Sequence, residues 1–269
     1  MYDYHTHNRR CGHAEGVLEE YVQSAIQKGL RHIGLSDHSP IYHLGDDPHP
    51  RPGIAMHRDE LTHYLDECVE LKRAYRGKID VRVGIESDYV SGWDDHYRAL
   101  WEDDRLDYVI GSVHWIGDWQ IFKPELPEGH TVETIFSAYL DSIKGAAQSG
   151  IYDIMGHIDA IKVRGYIPDG DIVAAYKETL EAIAASGVAI ELNTSGWRKS
   201  CAEQFPSRAI LESARTMGIP VCLGSDAHAP NLVGAGFAEA LDVLREVGYT
   251  QIATFERREM RLIPLSDVA

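Results

Sequence analysis

The residues with most chemical potential sit at the start of the chain. The stretch "DYHTHNRRCGH" puts His5, His7 and His13 within nine positions. On an extended strand, residues two apart point to the same side, so His5 and His7 can address one ion. His13 follows a turn through Gly12 and is free to reach another. Further along, His38, Glu86, His114, His157, Asp226 and His228 each fall at or just past the end of a short apolar run. Half of the fourteen histidines are thus gathered at such ends. Imidazoles mixed with carboxylates are the donor set of zinc, iron, manganese and similar divalent ions. His32, inside "RHIGL", reads as structural. His43, His49, His57, His63, His96 and His130 read as solvated loop or helix-face residues.

Elements must bring these residues together. Apolar stripes of helical period run up to Gly29, Gly77, Gly150, Gly187, Gly218 and Gly248, and glycine just past a helix tolerates the left-handed cap conformation. Between them lie the near-continuous apolar runs "HIGLS", "VRVGIE", "LDYVIGSVH", "YDIMGH", "VAIELN" and "PVCLGSD". Strands of that character are buried on both faces, as in a parallel sheet wrapped by helices. With "MYDYHTH" they make seven strands, each finishing in His, Asp, Glu or Asn. In a (βα) barrel the C-terminal strand ends share one face, so these polar residues converge into one pocket. The expected fold is an α/β, distorted seven-stranded TIM-like barrel, with residues 1–269 as a single domain. No linker or composition shift divides it.

Bulk composition narrows the partners. The formal net charge is −16 and the pI about 5.2, which argues against a nucleic-acid partner. A small anionic substrate stays compatible if positive charge is concentrated locally. No apolar run approaches the roughly 20 residues needed to span a bilayer, and no basic-then-apolar leader opens the chain, so no membrane role is expected. Cys11, Cys68, Cys201 and Cys222 are widely spaced, which fits reduced thiols and a cytoplasmic location. Nothing in the sequence sets the oligomeric state.

Taken in order, "DYHTHNRRCGHAEG", "GLSDHSP", "GIESDY", "DYVIGSVHW", "GHID" and "IPVCLGSDAH" resemble the PHP (polymerase and histidinol phosphatase) superfamily, and within it the monofunctional histidinol-phosphate phosphatases. The resemblance runs over nearly the whole chain. It implies a distorted (βα)7 barrel with three divalent metal ions that hydrolyses a phosphate ester, here histidinol phosphate, in histidine biosynthesis. Carried over by motif, it implies His5, His7, Glu86 and Asp226 on a first metal. Glu86 then bridges to a second metal with His114 and His157, and His13, His38 and His228 hold a third. Glu86, Asp226 and His228 are the expected catalytic residues.

Three divalent ions against two carboxylates leave such a site strongly positive, which reconciles an acidic protein with a phosphate substrate. The expected chemistry is attack on phosphorus by a hydroxide bridging the ions, its pKa lowered from ~15.7 towards ~7. No covalent enzyme nucleophile is required. Cations and polar groups after barrel strands, in "DAIKVRGY" and "ELNTSGWRKS", make Lys162, Arg164, Asn193, Ser195 and Arg198 candidates for the phosphate. Trp115, Asp88 and Tyr89 follow ligand positions and are candidates for the imidazole and amine. Asp37 is expected to orient an imidazole and Asp159 to cap a helix. The long segments "SPIYHLGDDPHPRPGIAMH" and "IGDWQIFKPELPEGH" are expected to shape the pocket. Other readings are a PHP phosphoesterase for nucleotides or oligonucleotide ends, a metal-dependent amidohydrolase, and a non-catalytic metal-binding module. The amidohydrolase reading lacks an obvious strand-end lysine, and the full set of nine donors speaks against the last.

Overall fold

The computed structural model describes residues 1–268. In chain order the elements are β1 (Tyr2–Asp3), α1 (Leu18–Gln27), β2 (His32–Leu35), α2 (Glu60–Ala74), β3 (Asp80–Asp88), α3 (Asp94–Trp101), β4 (Tyr108–Ser112), β5 (Trp115–Ile116), β6 (Trp119–Gln120), α4 (Val132–Gln148), β7 (Ile154–Met155), α5 (Ile172–Ser186), β8 (Ala189–Asn193), α6 (Arg208–Thr216), β9 (Val221–Gly224), α7 (Phe237–Val247), β10 (Gln251–Glu256) and β11 (Glu259–Pro264). Seven strands pair in parallel in the order β1-β2-β3-β4-β7-β8-β9. The sheet then curls back on itself. Tyr4 N donates to Leu223 O (3.0 Å), His7 N to Ala227 O (2.9 Å), and Thr6 bridges Ala227 in parallel, so the chain after β1 meets the chain after β9. The seven-stranded barrel expected from the strand-end pattern is what forms.

The helix ends follow the sequence signals. Gly29, Gly77, Gly150, Gly187, Gly218 and Gly248 all have φ between 67° and 94°, where a Cβ is unfavourable. Inside the barrel, fully buried Tyr108 fills the space left by Gly34 and Gly84; a Cβ at either glycine would overlap its ring. Its hydroxyl donates to Tyr4 O (2.6 Å). One apolar core runs from Tyr2 to Val268.

Five elements were not anticipated. The antiparallel hairpin β5–β6 forms the start of the second long segment, α3 buries Tyr97 and Trp101 in the core, and the C-terminal hairpin β10–β11 closes on the barrel through Phe255 N, which donates to Tyr4 Oη (3.1 Å). The four cysteines are free. Among the described residues, no helix is long and apolar enough to cross a membrane.

Candidate metal centre

Because the strands are parallel, their C-terminal ends deliver side chains to one face. His5 and His7 lie on either side of Thr6, just beyond β1, and are buried with ring centroids 5.0 Å apart. His38 follows β2 and bridges to Glu86 of β3; His114 follows β4, His157 follows β7, and Asp226 and His228 follow β9. His13, at the rim, comes from the loop beyond the helical turn Arg9–Cys11. Two of these residues are held at positive φ, His157 at 23° and Asp226 at 50°. Strain of that kind persists where the surroundings over-determine it, commonly at functional sites.

Glu86 is the hub. Its Oε1 lies 3.1 Å from His157 Nε2, 3.4 Å from His5 Nε2 and 3.7 Å from His114 Nε2. Its Oε2 is 2.8 Å from His38 Nδ1 and 3.6 Å from His7 Nε2. Asp226 Oδ1 faces His7 Nε2 at 3.2 Å, His228 Nδ1 at 3.3 Å and His5 Nε2 at 4.0 Å. His114 Nε2 meets His157 Nε2 at 3.3 Å, and His13 Nε2 meets His228 Nε2 at 3.1 Å. Five overlapping trios have donor atoms within 4.8 Å of one another: His5–Glu86–His157, His5–His7–Asp226, His38–Glu86–His114, His7–His38–His228 and His7–Cys11–Asp37. His13 belongs to none of them and reaches the cluster through His228.

These donors fit divalent ions. The Nε2 atoms of His5 and His7 are buried beside carboxylates yet make no hydrogen bond, and Glu86 Oε2 is likewise without one. Orphaned buried polar atoms are costly, and several converging on a common point are what a cation satisfies. An outer layer fixes the rings. His5 Nδ1 donates to Glu191 Oε1 (2.7 Å), His114 Nδ1 to Asp88 Oδ1 (3.0 Å), and His7 Nδ1 faces Asp37 Oδ1 (3.4 Å). Each carboxylate holds one tautomer and leaves Nε2 free to ligate.

The charge distribution agrees. Burial pushes the Glu86 and Asp226 carboxyls up, but the rings of His38, His5 and His114 around Glu86, and of His5, His7 and His228 around Asp226, hold both well below the usual carboxylate range. Burial disfavours charge on His7, but Asp226 and Asp37 raise it to about 9; at His114 burial is outweighed by Asp88 and Glu86, again to about 9. His13 and His228 go down, to about 4 and about 2, through burial and neighbouring rings. Beyond the two expected ligand carboxylates, Asp37 meets an imidazole as expected, Asp88 pairs with His114, and Glu191 is an addition the sequence reading did not name. Glu191, Asp37 and Asp88 add three, so the pocket draws positive charge strongly.

Glu191 escaped the sequence reading. It lies two residues before Asn193 on β8 and so points to the same side, a signal present in "ELN". Its other oxygen, Oε2, accepts from His157 N (3.1 Å) and Asn193 Nδ2 (3.0 Å). Gly224 on the neighbouring strand makes room for it: a Cβ there would overlap its carboxylate.

The expected phosphate contacts fare differently. Lys162 is buried and fully used, its Nζ donating to Asp159 Oδ2 (2.9 Å), Glu203 Oε2 (2.8 Å) and Gln204 O (2.7 Å), so it is a strut between loops. Arg164 is exposed and donates to Phe122 O (2.6 Å). Arg198 donates to Ser225 O (2.6 Å) and Thr194 O (3.3 Å), bracing the backbone beside Asp226. Asn193 is buried on Glu191 and Asp226 (Oδ2, 3.4 Å). Ser195 Oγ also donates to Asp226 Oδ2 (2.9 Å) and does line the cavity. Trp115, half-buried at the start of the β5–β6 hairpin, lies under the guanidinium of Arg51 and does not line the cavity. Tyr89 packs against Gly145 of α4. Asp88 faces the cavity but is engaged by His114. Asp159 does not cap the turn that follows it; it accepts from Ser207 N (2.7 Å) at the start of α6 instead.

Above the cluster is a cavity of about 480 Å³, within the ~300–1,000 Å³ range of small-molecule sites. Both long segments line it, the first through Ile41, His43 and Ile54 and the second through Gln120 and Phe122. His43, read as solvated, is therefore a wall residue, its Nδ1 3.2 Å from Tyr97 Oη. Lys199, not singled out from sequence, is the one Lys or Arg in the wall among the described residues. His32 is structural as expected, 3.1 Å from Asp80.

The chain is 36% identical to a probable histidinol-phosphatase of Deinococcus radiodurans over 262 residues, 96% of this chain and 98% of that one. It is 30% identical to a histidinol-phosphatase of Bacillus subtilis, covering 89% of this chain and 98% of the relative. Among solved structures, the histidinol phosphate phosphatase of Lactococcus lactis, in complex with zinc, L-histidinol and phosphate, superposes with a TM-score of 0.80 at 24% identity, over 97% of this chain and 98% of that one. A model of the PHP domain matches residues 3–195, and the chain belongs to the PHP domain family.

Proposed function

We propose that the protein is a metal-dependent phosphomonoesterase that hydrolyses L-histidinol phosphate to L-histidinol and phosphate, a late step of histidine biosynthesis. The observation that carries this is the converging cluster of strand-end imidazoles around Glu86 and Asp226, in a chain similar to histidinol-phosphatases from end to end. The proposed ligands are His5, His7, Glu86 and Asp226 for one ion, Glu86, His114 and His157 for a second, and His13, His38 and His228 for a third. The zinc in the Lactococcus neighbour supports zinc among zinc, iron and manganese.

Divalent ions bound there supply Lewis-acid stabilisation of the phosphoryl oxygens and an acidified water. The chain's own groups prepare the site for them. Glu191, Asp37 and Asp88 keep protons on the Nδ1 atoms of His5, His7 and His114. Ser195 and Asn193 hold Asp226 through its Oδ2 and leave Oδ1 directed at the cluster. Lys199 brings a positive charge to the cavity wall, where it opposes the negative charge of the ester. The long segments cover the organic end and exclude water.

The test is inorganic phosphate release from histidinol phosphate, several nucleotides and an aryl phosphate, each with and without a chelator. The proposal requires a clear preference for histidinol phosphate that chelation abolishes. Equal rates across the panel would defeat the substrate assignment, and chelator-insensitive rates would defeat the metal mechanism.

A further inference from the structure

The two segments that roof the cavity are anchored separately. The first, residues 39–57, is pinned at its foot by Arg58, which donates to Ile41 O (2.8 and 3.1 Å), Tyr42 O (3.2 Å) and Gly45 O (2.7 Å) and lies 5.0 Å over the Tyr42 ring. The second is tied to the segment after β7: Arg164 Nε donates to Phe122 O (2.6 Å) and Tyr166 Oη to Lys123 O (3.0 Å). Across the seam, the Arg51 guanidinium sits 4.1 Å over the ring of Trp115, with Asp118 Oδ1 a further 3.9 Å from Arg51 Nη2. Asp118 is 92% exposed, so that ion pair contributes little in water. The cation–π contact is the stronger tie.

Each end of this contact lies close to the proposed ligands. Trp115 directly follows His114. Arg51 is two residues from Gly53, whose Cα packs so closely on Gly12 that a Cβ there would come within 2.6 Å of it, next to His13. We propose that the Arg51–Trp115 contact is a latch that closes the roof over the bound ester and makes the enzyme selective for a leaving group long enough to reach the roof walls. This rests on the phosphomonoesterase reading above. The phosphoryl end of any ester sits at the floor, among the strand-end groups. Only a long leaving group meets Ile41, His43 and Ile54 on one side and Gln120 and Phe122 on the other. A latched roof therefore strengthens binding of histidinol phosphate and is indifferent to a short ester. Such binding is shared by ground and transition states, so its loss appears in KM and not in kcat.

The experiment is steady-state kinetics of Arg51→Ala, Trp115→Ala, the double variant and Trp115→Phe, on histidinol phosphate and on glycerol 2-phosphate. Each alanine variant raises KM for histidinol phosphate by roughly three- to tenfold, the range a cation–π contact supplies. Its kcat and its KM for glycerol 2-phosphate stay within about twofold. The double variant is no worse than the worse single one, because both remove the same contact, and Trp115→Phe, which keeps a ring, stays near wild type. Unchanged KM in both single variants, equal rises on both esters, or multiplicative effects in the double variant would overturn the latch. Wild-type protein inactive on histidinol phosphate defeats the substrate reading instead. The latch is then decided by protease cleavage within residues 39–57, which must quicken in both alanine variants but not in Trp115→Phe; equal cleavage rates overturn it.

Discussion

At the scale of single residues, the site depends on groups that never face the cavity. Glu191 is buried, and one of its oxygens meets His5 Nδ1 at 2.7 Å while the other holds His157 N and Asn193. Replacing it by Gln keeps the shape but removes the charge that favours an Nδ1 proton on His5. Glu191→Gln is expected to weaken metal binding by roughly 10- to 100-fold, read by competition with a chromogenic chelator, because outer carboxylates tune ligand basicity. Lys162 makes the opposite case. Its pairing with Asp159 and Glu203 predicts that Lys162→Met destabilises the fold by about 3 kcal/mol, since Asp159 is left buried without its cation. KM for the ester should stay unchanged. A raised KM with unaltered stability would return Lys162 to the substrate.

At the scale of elements, parallel topology explains how much could be read in advance. A period of two within each strand and a common direction for all seven suffice to bring His5, His38, Glu86, His114, His157 and Asp226 to one face, wherever they lie in sequence. Loop pairings carry no such rule. Lys162 and its partner Glu203 are 41 residues apart in different loops, and a positive charge after a strand looks the same whether it meets a phosphate or a carboxylate. Trp115 directly follows His114 but opens a two-residue hairpin strand and is not among the residues lining the cavity, a placement no strand-end rule gives. The register of β8 on β9, Glu191 opposite Cys222 and Asn193 opposite Gly224, sets the gap that Glu191 occupies. Gly224→Ala should therefore push Glu191 off His5, costing about 2 kcal/mol by overpacking and lowering metal content together with thermal stability. A Gly224→Ala protein with full metal content would show that this gap does not matter.

At the scale of the molecule, the acidic surface and the anionic substrate class are reconciled inside the barrel. Five carboxylates gather around seven imidazoles, and the three divalent ions proposed for them would outweigh that negative charge without altering the exterior. We read residues 1–269 as one barrel domain, supported by the core that runs from Tyr2 to Val268 and by the β10–β11 hairpin packed against Tyr4. The central claim is that this barrel holds divalent ions at its strand ends and needs them to release phosphate. Elemental analysis of the purified protein, with phosphate release from histidinol phosphate measured on the same samples during chelation and metal return, tests it most directly. The account predicts three divalent ions per chain, with activity falling as they leave and recovering as they return. Full activity at less than one ion per chain would contradict it.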